Sequence, residues 1–210
     1  MTVETQAMEV ARDLPVENDL KSLQPGLKDA QDAIKTLLYF LGEDPKREGL
    51  VDTPARVVKA WMEYCEGYSV DPAAFLTTQF HEISNYEGPV TLQKINFVSH
   101  CEHHLAPIVG FVDVSYLPDG KVVGISKLSR VVRAFSRRLQ TQERFTAEIC
   151  KCIQDGLKPK GVAVRVTADH SCMSNRGVND GSSSLVTTSL TGQYETDLIL
   201  KNTDSLLSLI

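Results

Sequence analysis

The segment Ser99–Pro107, SHCEHHLAP, holds three of the chain's five histidines and one of its five cysteines. Imidazole and thiolate are preferred zinc ligands, so this crowding points first to a metal site. It points second to proton transfer near neutral pH, where histidine titrates. About 65 residues further on, ADHSCMSNRG adds His170 and Cys172. Two residues apart, these are expected to share one face of an extended segment. Cys101 and His104 are three apart, which puts them on opposite faces of a regular strand but on one side of a tight turn. Pro107 limits any helix there, so the spacing predicts a bend between two strands. Cys101, His104 and Cys172 make a Cys, His, Cys set with a fourth position open, the pattern of a catalytic zinc; no further CxxC pair is present to close it. His103 and His170 are left as unligated imidazoles suited to proton transfer. Taken singly, each residue also fits a plainer role, as a buried thiol or a core histidine. The clustering favours the metal.

A second feature is charge. From Lys121 to Gln142 there are six Lys or Arg residues and no Asp or Glu. Lys127, Arg130, Arg133 and Arg137 recur at helical spacing, with Arg138 beside the last. A solvated helix face accounts for the spacing but not for the missing acids. Ser126 at the start of this helix adds free backbone N–H groups, so a polyanion such as a triphosphate suits both features. Arg56 and Lys59, on an earlier helix, read from spacing alone as surface residues. Glu143 reads as an acid in a first helical turn.

The elements that must carry these groups follow from periodicity. Ala30, Ile34, Leu37, Leu38 and Leu41 repeat as one helix face, with Gly42 as a stop. Thr53 and Pro54 open a second helix with an apolar face of Val57, Val58, Trp61, Met62 and Cys65. GPVTLQKINFVSH reads as a strand, and IVGFVDVSYLPDGKVVG as a hairpin turning at Pro118-Asp119-Gly120. Two helices follow, one from about Ser126 to Leu139 and one from about Thr141 to Leu157, the latter burying Phe145, Ile149, Cys152 and Ile153. GVAVRVTADHSCM and SSSLVTTSLTGQYE supply two more strands. The pattern predicts an α+β domain whose antiparallel sheet is covered by helices on one face.

With 210 residues, 42% of them hydrophobic, the chain can bury a sizeable core. Residues 1–27 show no sustained period and read as a flexible extension, leaving 28–210 as one folded domain. No apolar run is long enough for a membrane span, and no signal peptide is evident, so the expected address is the cytoplasm. Five cysteines at irregular spacing read poorly as a disulfide framework. The net charge of -5 argues against a general nucleic-acid binder.

CEHH at 101–104, GISKLSRVVRAFSRRLQTQERFT at 124–146, HSCMSNRG at 170–177 and REGLVDTPARVVKAW at 47–61 together resemble the GTP cyclohydrolase I family. The resemblance spans roughly residues 28–200. It implies the tunnelling fold, assembled into a toroidal homo-oligomer, typically a decamer built as a dimer of pentamers, with active sites at subunit interfaces. It implies zinc as cofactor, held by Cys101, His104 and Cys172, and proton handling by His103 and His170. It further implies that Glu143, with Gln142 beside it, anchors the guanine edge, which replaces the capping role read for Glu143 from position alone. Arg56, Lys59, Lys127, Arg130 and Arg176 match residues associated with the triphosphate, and Ser126 a neighbouring contact. The implied reaction converts GTP to 7,8-dihydroneopterin triphosphate and formate, the first step of pteridine biosynthesis. A catalytically silent relative would be expected to have lost some of these residues; all are present. The paired H-x-E and P-C-x-x-C signature of zinc nucleobase deaminases is missing. Asp204 stands where the family commonly has arginine.

Overall fold

The computed structural model describes residues 25–81 and 86–196. Most of the expected extension, residues 1–24, and Asp204 lie outside the described residues. The chain divides after Trp61 into two compact units.

The first unit contains helix α1, Leu27–Phe40, and the start of helix α2, Thr53–Tyr64. The Asp29 carboxylate accepts the Gly26 N–H at 2.9 Å, capping α1. Gly42 turns the chain at φ 84°, a conformation that costs glycine little, and so stops the helix where expected. The periodic apolar face of α1 is real but uncovered. None of its residues is buried, and Leu37 and Phe40 are half or more exposed.

The second unit is built on a five-stranded sheet. Its strands are β2 (Val90–Cys101), β3 (Pro107–Leu117), β5 (Leu139–Gln140), β6 (Gly161–His170) and β7 (Leu185–Gly192), in the order β5-β2-β3-β6-β7. All neighbours are antiparallel except β5 and β2. A separate pair joins β1 (Gln79–Phe80) to β4 (Val122–Val123). Helices α3 (Ile125–Ser136) and α4 (Gln142–Leu157) cover the large sheet, α3 against β2 and α4 against β6 and β7. Valines explain this layering, because alternate residues of a strand face one side. Val112 and Val114 of β3 and Val162, Val164 and Val166 of β6 are fully buried with Val131, Val132, Ile149 and Ile153 of the helices. Phe145 joins the two layers where it matters for the site. It lies at the start of α4, is 1% exposed, and meets Phe97 of β2 at 4.8 Å between ring centroids. Phe145→Ala is therefore expected to destabilise the fold by about 3–5 kcal/mol. Urea unfolding at fixed subunit concentration measures this as a lower midpoint with an unchanged slope.

Four expectations are corrected. The turn at Pro118–Gly120 exists, but the chain after it pairs with β1, so β3 and β4 form no hairpin. The reason is that β2 and β6 already occupy both edges of β3. Helix α3 ends at Ser136, short of Leu139, because the Gln140 side chain takes the Phe135 carbonyl (Nε2 to O, 2.9 Å) while Leu139 and Gln140 pair beside His100 and Cys101. On α4 the fully buried thiol is Cys150, whereas Cys152 is only half-buried. Burial, with Asp71 and Asp155 nearby, pushes the Cys152 thiol up to about 11. Finally, β6 ends at His170 and Cys172 sits on the short helix α5, Ser171–Ser174, so the two do not share a strand face.

Candidate active site

One end of the large sheet gathers the chemistry. There β2 finishes at Cys101, β3 begins at Pro107, β6 finishes at His170, and α4 begins at Gln142. The connection from β2 to β3 is a tight bend closed by two backbone hydrogen bonds, Leu105 N–H to Cys101 O and Cys101 N–H to Ala106 O, each 2.8 Å. Leu105 closes it at φ 54°, a left-handed conformation costing a leucine about 1–2 kcal/mol. Tertiary contacts hold that strain. Arg144 of α4 donates to Glu102 Oε2 at 2.6 Å and to Leu139 O at 2.9 Å, and its Nε reaches Gln140 Oε1 at 3.3 Å. Glu102 and Arg144 were not among the expected site residues. No ligand-type spacing marks them; only the three-dimensional approach of α4 to the bend does.

This bend, with α5, brings the three expected donors together. The side-chain donor atoms of Cys101, His104 and Cys172 lie within 4.8 Å of one another. Cys101 is buried, Cys172 half-buried and His104 exposed, so the cluster is walled by protein on one side and open on the other. Two thiols and an imidazole are a borderline-soft donor set that suits zinc. Burial first, and then the neighbouring Cys101 sulfur, pushes the Cys172 thiol up. The donor set fits a zinc ion.

The other imidazoles flank this cluster. His103 is exposed, with Nδ1 3.6 Å from Cys101 Sγ and Nε2 3.9 Å from Glu102 Oε1. His170 is half-buried, and its Nε2 lies 2.8 Å from Gln142 Oε1. Burial holds His170 below the usual imidazole range, against the opposing pull of Glu143 and Asp169. It also lines a cavity of about 210 Å³ with Met173, Ser183, Ser184 and Leu185. Glu143 is exposed in the first turn of α4. Gln142, expected as its companion on substrate, points inward: it is 2% exposed, and its amide is taken up by His170, Val166, Leu185 and Thr187.

The cationic residues are distributed differently. Arg176 is exposed just beyond α5, close enough to Cys172 to act on its thiol. Ser126 and Lys127 belong to the first turn of α3, which starts near the far end of β3, where Val123 N–H donates to Tyr116 Oη at 3.2 Å. Arg130 lies further along α3, 6.0 Å over the Phe75 ring, in a groove with Arg133, Arg137 and Glu66. Arg56 and Lys59 are exposed on α2 in the first unit, Arg56 paired with Asp52 at 3.0 Å.

Fold and cluster together define a class: an antiparallel sheet, helix-covered on one face, that presents a Cys, His, Cys donor set with free imidazoles beside it. The family model of GTP cyclohydrolase I matches residues 30–208. The chain is 51% identical over 172 residues to GTP cyclohydrolase 1 of Brucella suis, covering 82% of this chain and 81% of that protein. It is 45% identical over 191 residues to GTP cyclohydrolase 1 of Hyphomonas neptunium, covering 91% and 92%. A solved archaeosine synthase QueF-like structure in the apo form aligns at TM-score 0.43 and 18% identity, covering 51% of this chain and 97% of that one. The chain belongs to the GTP cyclohydrolase I family, and its α+β arrangement is the one expected of that family.

Proposed function

We propose that the chain is a zinc-dependent GTP cyclohydrolase, converting GTP to 7,8-dihydroneopterin triphosphate and formate at the head of pteridine biosynthesis, with residues 28–210 as its catalytic domain. The observation that carries this reading is the convergence of Cys101, His104 and Cys172, with His103 and His170 alongside, in a chain of this family. Bound by those three residues, zinc supplies Lewis acidity that makes water a nucleophile near neutral pH. The remaining chemistry belongs to the chain. Carbon 8 of guanine is a poor electrophile until N7 is protonated, and His103 and His170 are the groups placed to deliver and recover protons there. Glu143, exposed at the start of α4, accepts from the guanine edge, and Arg176 pairs with a phosphate. Binding energy from the triphosphate holds the base in register while the ring opens, formate leaves and the ribose carbons close onto the base.

The positions of Ser126, Lys127 and Arg130 support a homo-oligomer. Strand β3 has 11 residues, so roughly 30 Å of strand separates Pro107, beside the donor cluster, from Tyr116, beside the start of α3. Ser126 and Lys127 start α3 at that far end, so in this reading a second copy of the chain supplies Ser126, Lys127 and Arg130 to the cluster, in keeping with the toroidal decamer, a dimer of pentamers, that the family resemblance implies. The uncovered apolar face of α1 likewise needs a partner surface. Arg56 and Lys59 add positive charge for the triphosphate. Among the described residues no helix is long and apolar enough to cross a membrane, and we assign the enzyme to the cytoplasm.

Zinc-loaded protein given GTP is expected to release formate and to yield a pterin that fluoresces after oxidation. Neither product appearing would overturn the reading.

A further inference from the structure

The half-buried His170 can act as a base at only one of its two nitrogens at a time, and which one is decided by the proton on the other. The surrounding hydrogen bonds settle both that proton and the sense of the Gln142 amide. One end of the Gln142 side chain faces the backbone carbonyls of Leu185 at 2.9 Å and Val166 at 3.2 Å. Carbonyl oxygens only accept, so that end must be the NH2. The third neighbour agrees. Thr146 Oγ1 donates its single proton to the Gln142 backbone carbonyl at 2.7 Å, so in the 2.6 Å contact between Thr146 and Thr187 the donor is Thr187. Thr187 Oγ1 is then an acceptor for Gln142 Nε2 at 3.2 Å. With its nitrogen committed, Gln142 turns Oε1 to His170 Nε2 at 2.8 Å, and an amide oxygen only accepts. His170 Nε2 must carry the proton.

We infer that Gln142 is a positioning residue that fixes the His170 ring in the Nε2–H tautomer by accepting that hydrogen bond, leaving Nδ1 as the nitrogen offered to GTP. Nδ1 has no hydrogen-bond partner among the described residues, and the ring borders the open cavity beside Ser183 and Ser184. The Oε1 contact fixes the direction of the ring, which keeps Nδ1 in place through successive steps. Burying an amide at the foot of β6 and β7 gives the sheet a satisfied network and gives the histidine a fixed polarity.

The inference rests on the GTP reading for its chemistry, but its first test is independent of activity. Zinc-loaded wild-type protein labelled with 15N-histidine is examined by long-range proton–nitrogen correlation, with the His170 signals identified by their loss in His170→Asn. A pyrrole-type Nε2 and a pyridine-type Nδ1 in the neutral ring are expected; a proton on Nδ1 overturns the inference, whatever the assay with GTP shows. The second test is Gln142→Met, which fills the site without an acceptor. It is expected to lower kcat roughly 10- to 100-fold with KM for GTP unchanged, and to lose the single-tautomer signature. An unchanged kcat, or a fall shared by KM, overturns the positioning role. Wild-type protein that shows the Nε2–H tautomer but releases no formate would instead remove the GTP reading alone.

Discussion

Cys101→Ala is expected to purify with background zinc and to release no formate from GTP, while His103→Ala keeps its zinc and loses turnover by roughly 10²- to 10⁴-fold. The contrast follows from where the two side chains sit. Cys101 is 6% exposed at the last position of β2, fixed by hydrogen bonding on both sides of its strand end. It is one of three donors that converge here, and a site with two of them left falls short of the three protein ligands a catalytic zinc takes. His103 is exposed and one residue outside the donor set, so its removal leaves the set intact. Metal analysis and the formate assay, run on the same preparations, check both halves. Full zinc occupancy in Cys101→Ala would refute the ligand assignment; metal loss in His103→Ala would move that histidine from proton transfer into the donor set.

How much of this was legible beforehand depends on range along the chain. The donor types and the bend between β2 and β3 could be read from SHCEHHLAP, because a bend is a local event whose signals, Pro107 among them, lie within a few residues. Helix α4 could be read from Thr141, which caps it by accepting the Arg144 N–H, and from its apolar period. What periodicity could not supply was partner choice. Nothing in VVG announces that β4 avoids β3 for β1, since that depends on β6 arriving from some 40 residues further on to fill the edge. The end of α3 was misplaced for the same reason: Gln140 is captured by a sheet edge that the helix sequence does not encode. Gln142 was legible as polar and adjacent to Glu143, but its inward direction is set by carbonyls on β6 and β7. The family resemblance implies roles for residues that spacing alone assigns to surface charge, as with Arg56 and Lys59.

The proposed division of the site between copies of the chain makes a sharp prediction about mixtures. Cys172→Ala should be inactive for want of metal, and the double variant Lys127→Ala/Arg130→Ala should lose roughly 10²- to 10⁴-fold in kcat/KM, since each charged contact to phosphate contributes about 1.5–3 kcal/mol. Co-expressed in equal amounts, the two should recover activity. A site that takes its donors from one copy and its cations from another is intact whenever the first copy carries the cation lesion and the second the cysteine lesion. Random assembly produces that pairing at roughly a quarter of sites. If a single chain completed its own site, every site in the mixture would carry one lesion or the other, and no recovery could occur. Formate release at about a quarter of the wild-type level from the tag-selected mixed oligomer is the expected result. Activity no greater than the sum of the separately expressed variants, with mixing verified by mass spectrometry, would overturn the division of the site between copies.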